Sequence, residues 1–236
     1  MMCNRSVYLS GLMLFCFGNM IPTLEGLDVT SDGCGDTKSC YREPADCKDK
    51  SDCDVMVTWA PEGDDATVFE ILGKMRDYAG TNVEQYVGIG FSHDQRMADT
   101  DVWACILEPG DTDVKLDHSY NTDGYSNAQG QVMGIDDFEF EYSNNVIQCT
   151  FERKHKIDGE PRFFNLVDHK YHLLLPRGPR TVGPDYVKVG KHFETPFISA
   201  SKYDFSKLDH PGSGAASYQG ALWLSLLLAF VAVLYG

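Results

Sequence analysis

The sequence predicts an all-β fold, an antiparallel β-sandwich of immunoglobulin-like type, on three observations. Short runs with period-two alternation recur along the chain, turn residues separate them, and no window carries a convincing helical period. Two cysteines, Cys105 and Cys149, fall inside such runs, where a bridge between them ties two strands or two sheets. At 236 residues, one domain with flanking segments is expected.

Taken in order, the chain opens with Arg5 and an apolar run over residues 7–20, followed by Pro22 and small residues up to Gly26. Residues 1–26 read as a secretory signal peptide cut after Gly26, with Gly18 the alternative site. Cys3 and Cys16 leave with it. Residues 27–53 are rich in Asp, Gly, Ser, Lys and Cys without a period, a lead-in ordered by its bridges rather than by a core. Six cysteines remain, Cys34, Cys40, Cys47, Cys53, Cys105 and Cys149. An even number in a secreted chain predicts three disulfides, and spacing alone does not pair the first four. No histidine lies near those four, which disfavours zinc.

Residues 54–205 carry the strand patterns of the sandwich. Val55, Val57 and Trp59 alternate, and residues 68–74 follow. Residues 86–108 read as strand, sharp turn, strand: Val87, Ile89 and Phe91 alternate with Gly88 and Gly90. On the far side Val102, Ala104 and Ile106 alternate with Trp103, Cys105 and Leu107. Further strands are expected over 114–120, around Phe138, Phe140 and Tyr142, around Ile147, Cys149 and Phe151, over 171–175 up to Pro176, and over 186–189. Residues 206–220 look like a stalk, and residues 221–236 form an apolar tail. The tail is shorter than the ~20 residues of a membrane span. Small residues over 212–216, a short polar spacer and this tail predict a glycosylphosphatidylinositol (GPI) attachment signal with Ser213 as the acceptor; the alternative is a single C-terminal membrane helix. Either places the domain on the outer face of the cell.

The formal net charge is −15, and losing Arg5 and Glu25 leaves it unchanged. Such a surface repels phosphates, so nucleic acid is excluded as a partner. Phosphate-binding loops, H-E-x-x-H and G-x-S-x-G are absent, and no residue is assigned a catalytic role. Met97 stands out instead: a thioether is a soft donor, and this one sits alone in the polar turn from Ser92 to Thr100.

The run Gly90-Phe91-Ser92-x-Asp94-x-x-Met97-x-x-x-Asp101-Val102, with Cys105 three residues on, resembles the DOMON domain. The form is that of animal ferric-chelate reductase and stromal-cell-derived-receptor proteins, and the likeness runs roughly from Cys34 to Phe205. It implies a b-type haem at one end of the sandwich, held by a Met and a His. The family's Met falls on Met97. Its late His, just before a proline-containing stretch, falls on His192 in Val189-Gly190-Lys191-His192-Phe193-Glu194-Thr195-Pro196. It also implies the Cys105–Cys149 bridge. Met and His together fill both axial positions, a centre suited to passing single electrons. His172 is the next candidate ligand. Trp103, Phe91 and Tyr86 read as core before haem edge, and the basic run from Arg153 to Lys156, with Arg177 and Arg180, reads as a solvated face before a propionate site. The reeler and six-helix membrane domains of the related reductases have no counterpart here, so ferric reduction would draw on a separate membrane partner. The competing reading is a haem-free interaction module, a receptor auxiliary or ligand-binding protein.

Overall fold

The computed structural model describes residues 26–76, 83–108, 113–122, 127–183, 186–189, 192 and 195–209. Thirteen strands form two antiparallel sheets. The first contains β1 (Ser39–Glu43), β2 (Val55–Glu62), β3 (Ala66–Lys74), β8 (Ile135–Ser143) and β9 (Val146–Lys154), in the order β1-β2-β3-β9-β8. The second is built on β4 (Glu84–Ser92), β5 (Thr100–Leu107), β6 (Val114–Asn121) and β7 (Asn127–Gln129), extended by β11 (Arg177–Gly183) and β12 (Tyr186–Val189). Its order is β12-β11-β4-β5-β6-β7. Beside β11 on the same edge of β4 lies β10 (Tyr171–Leu175), which carries β13 (Phe197–Tyr203). Pro176 interrupts the edge, and its carbonyl accepts from Gly88 N at 2.9 Å, so β10 and β11 act as one broken partner of β4.

Alternation decides which residues meet between the sheets. Val55, Val57 and Trp59 of β2, Phe69 and Ile71 of β3, and Ile147, Cys149 and Phe151 of β9 face Val87, Ile89 and Phe91 of β4 and Trp103, Cys105 and Leu107 of β5. The Cys105–Cys149 disulfide crosses between the sheets, as expected from its place in two strand runs. Phe205 closes one side, 4.9 Å from Phe91 and 5.0 Å from Trp59 between ring centroids. Tyr86 stands on the other face of β4 with Ala104 and Ile106, outside this core.

The lead-in departs from expectation. Its cysteines pair locally, Cys34–Cys40 and Cys47–Cys53, yet it also contributes a strand. β1 pairs over its whole length with β2, from Ser39 opposite Trp59 to Glu43 opposite Val55. Val29 is fully buried with Cys47, Cys53, Met56, Leu72 and Val146 in a second apolar cluster. Gln148 pins it further, accepting from Val29 N at 2.9 Å and donating to Leu27 O at 3.1 Å. Core and backbone pairing order this segment together with the bridges. At the far end, Asp209 N donates to Ser39 Oγ at 2.8 Å, so residues 206–209 lie on the sandwich instead of starting a free stalk. Residues 1–25, Ser213 and the apolar tail are outside the described residues.

Candidate functional site

Met97 lies in the turn between β4 and β5 and is half-buried. The turn is tied to itself: Ser92 Oγ donates to Arg96 O at 3.0 Å, Arg96 N donates to Asp94 Oδ1 at 2.8 Å, and Thr100 Oγ1 donates to Ala98 O at 3.3 Å. It is also tied to neighbours, through Asp99 N to Thr122 O at 3.1 Å and Gln95 Nε2 to Ser199 O at 3.1 Å. Asp99 takes a positive φ of 52°, and the Tyr120 hydroxyl donates to its carboxylate. The thioether is thereby offered from a pinned turn.

His192, also half-buried, sits between β12 and β13; residues 190–191 and 193–194 around it are outside the described residues. The turn carrying Met97 leaves β4 at Ser92, opposite His172 of β10, whereas β13 begins at Phe197, opposite Leu175. Those anchors are three residues apart on β10, about 10 Å, and the five residues from His192 to Phe197 reach at most ~17 Å. Backbone length therefore allows the two side chains to meet. His172 is nearer the turn in register, and its Nδ1 is 3.0 Å from Ser199 O. A carbonyl only accepts, so Nδ1 carries the hydrogen and the Nε2 lone pair is left over.

The outer face of β4 and β5 is apolar as well as the inner one, unlike a sheet that faces water. Tyr86, Ala104 and Ile106 cluster there, almost wholly buried, with Gly88 and Gly90 between them on β4. A Cβ on Gly88 would come within 2.8 Å of Trp103 O, and one on Gly90 within 2.9 Å of Thr100 Cγ2, so both positions need glycine. The sheet curls over this face. Arg180 of β11 pairs with Glu84 at 3.2 Å and with Asp117 of β6 at 3.4 Å, although β11 and β6 would stand ~14 Å apart in a flat sheet, more than an arginine side chain reaches. β12 packs against β7. The result is a curved apolar trough with the Met97 turn at one end. Burial raises the Tyr86 phenol well above its usual range, which keeps it neutral. A flat apolar group with a soft axial donor fits this lining and donor set.

Between the sheets lies a buried ion network that neither periodicity nor spacing announced. Asp101 and Arg153 are fully buried, and Arg153 Nη2 donates to Asp101 Oδ2 at 2.8 Å. The same oxygen accepts from Phe164 N at 2.9 Å, and Oδ1 lies 3.0 Å from His118 Nε2. His118 Nδ1 lies 2.9 Å from Gln131 O. Both partners of this imidazole are oxygen atoms, a carboxylate on one side and a backbone carbonyl on the other. Its ring stacks on Trp103 at 4.3 Å. Burial draws the Arg153 pKa down while Asp101 holds the guanidinium charged, and its carbon sits 3.8 Å from the Phe163 ring centre.

The expected solvated basic face is thereby corrected. Arg153 and His155 point inward along β9, and His155 Nε2 is 3.0 Å from Thr67 Oγ1. Arg177 donates to the carbonyls of Asp54 and Lys74 at 2.8 Å each, closing strand ends. Arg153 and Arg177 are thereby engaged by the protein itself, while Lys154 and Lys156 remain exposed.

Phe164 and Tyr171 also wall an open cleft of about 460 Å³, lined besides by His93, Lys156, Asp158, Glu160 and His169. His93 and His169 are far apart in the sequence, and only the fold brings them to one cleft.

Residues 51–178 match the DOMON domain family. Ferric-chelate reductase 1 of Mus musculus is 29% identical over 191 residues, 78% of this chain and 28% of that protein. The DOMON domain-containing protein FRRS1L of Homo sapiens is 26% identical over 222 residues, 90% of this chain and 70% of that protein. The chain thus spans little more than a quarter of the ferric-chelate reductases it matches. The cytochrome domain of Myriococcum thermophilum cellobiose dehydrogenase aligns with 80% of this chain and 95% of its own at a TM-score of 0.41 and 12% identity.

Proposed function

The chain belongs to the DOMON domain family, and from that premise we propose that it is an extracellular, membrane-tethered b-type haem module that relays single electrons. The observation that carries this reading is the second apolar face. A sheet in water has no reason to bury Tyr86, Ala104 and Ile106 away from the main core, and the pinned turn presents Met97 at the end of that trough. Held by one thioether and one imidazole, a b-type haem exchanges single electrons and, with both axial positions filled, offers no open position to oxygen. Met97 and His192 are the proposed axial ligands. The curled strands would shield a bound haem from water, and Met97 would hold it from a turn whose ties orient the thioether. Because the related reductases are named for ferric chelates, ferric iron is the proposed terminal acceptor, reached through a separate membrane partner.

The purified chain, supplied with haem, is expected to show a Soret band and a sharp reduced α-band. A colourless protein would leave the recognition-module reading. The tether is proposed to be a GPI anchor at Ser213. Phosphatidylinositol-specific phospholipase C should then release the protein from cells; full retention would point to a membrane helix.

A further inference from the structure

Most described histidines are engaged by protein partners. His118 bridges Asp101 and Gln131, His155 meets Thr67, and His172 is bound to Ser199. His93 and His169 differ. Both are exposed, and among the described residues neither ring hydrogen-bonds to a protein group. Their centroids are 6.0 Å apart, at the cleft that also contains Asp158 and Glu160.

We propose that His93 and His169 form a binding site for a single divalent transition-metal ion at the mouth of this cleft. Imidazole nitrogen suits copper, zinc and nickel, and copper(II) heads the affinity order among them. With metal–nitrogen bonds of ~2.0–2.1 Å, two imidazoles sharing an ion keep their centroids roughly 5 to 6.4 Å apart, from a tetrahedral to a linear arrangement. The observed 6.0 Å lies in that range. The rings are also positioned before any ion arrives. His93 packs on Phe164 at 4.8 Å and on Tyr171 at 5.0 Å, and His169 packs on Tyr171 at 6.2 Å. Contacts of this kind lower the entropy lost on binding. Tyr171 serves as the platform and not as a ligand. Its hydroxyl donates to Asn165 O at 2.8 Å, and burial pushes its pKa up to about 12. The carboxylates of Asp158 and Glu160 line the same cleft and add the negative charge a cation requires. Two protein nitrogens leave the remaining coordination positions open to water or to a carboxylate, so the ion is exchangeable. The site does not depend on haem.

The test is titration of the untagged, haem-free full-length chain with copper(II), followed by calorimetry and electron paramagnetic resonance. One saturable equivalent with nitrogen hyperfine structure is expected. His93→Phe and His169→Phe preserve the aromatic packing while removing the nitrogens. Each should weaken binding at least tenfold with the melting temperature retained, and the double variant should abolish it. Met97→Ala should leave binding unchanged. Absence of saturable binding overturns the proposal. So does a double variant that still binds with the wild-type affinity and spectrum, or binding that disappears with Met97→Ala.

Discussion

Asp101 is one carboxylate between the buried Arg153 guanidinium and the His118 ring, and it also satisfies the amide of Phe164. Removing one member of a buried ionic group strands the others in low dielectric, at a cost of about 3–5 kcal/mol. Asp101→Ala should therefore lower unfolding free energy by that amount in guanidinium titration, with the slope unchanged. A loss below about 1 kcal/mol would mean that water or another group takes over the carboxylate's role. This network was hidden in the sequence because its partners are far apart, Asp101 from Arg153 by 52 residues. Nothing in a run of Arg, Lys, His and Lys says that alternate members turn inward. Met97 stood out for the opposite reason, as a lone apolar donor in a polar turn, and its role as a ligand belongs to the proposed function.

Strands whose inward residues alternate in the sequence were legible as elements, as β2, β4, β5 and β9 show. β1, β7, β11 and β13 were not. β1, β7 and β13 are edge strands and β11 is broken by Gly and Pro, and hydrogen bonds to neighbours define them more than any buried face does. The disulfides differ at this scale too. Cys105–Cys149 closes 44 residues and joins β5 to β9, whereas Cys34–Cys40 and Cys47–Cys53 each close only six. Loop entropy assigns about 4 kcal/mol to the first and about 2.2 kcal/mol to each of the others. Replacing Cys105 and Cys149 together by Ala should accordingly reduce stability more than replacing either local pair, as read from denaturation midpoints. Equal losses would show that the lead-in bridges support more of the core than their own segment.

For the whole molecule, two sheets meet over one core, and the second sheet also encloses an apolar trough on its far side. The proposed ligands and the trough stand differently in the sequence. The resemblance pointed to Met97 and His192, but the curl that brings Arg180 to Asp117 comes from sheet geometry that no local pattern encodes. The cleft at His93 and His169 likewise joins the turn after β4 to the segment before β10. An acidic exterior of net charge −15 and three intact disulfides suit an oxidising compartment outside the cell. Central to the proposed function is a haem iron that would be held by one sulfur and one imidazole. The most direct measurement is low-temperature electron paramagnetic resonance of the haem-loaded ferric chain beside Met97→Ala, His192→Ala and His172→Ala. The account predicts a low-spin signal in the parent and in His172→Ala, and its loss in the other two. A low-spin signal that survives both Met97→Ala and His192→Ala would contradict it.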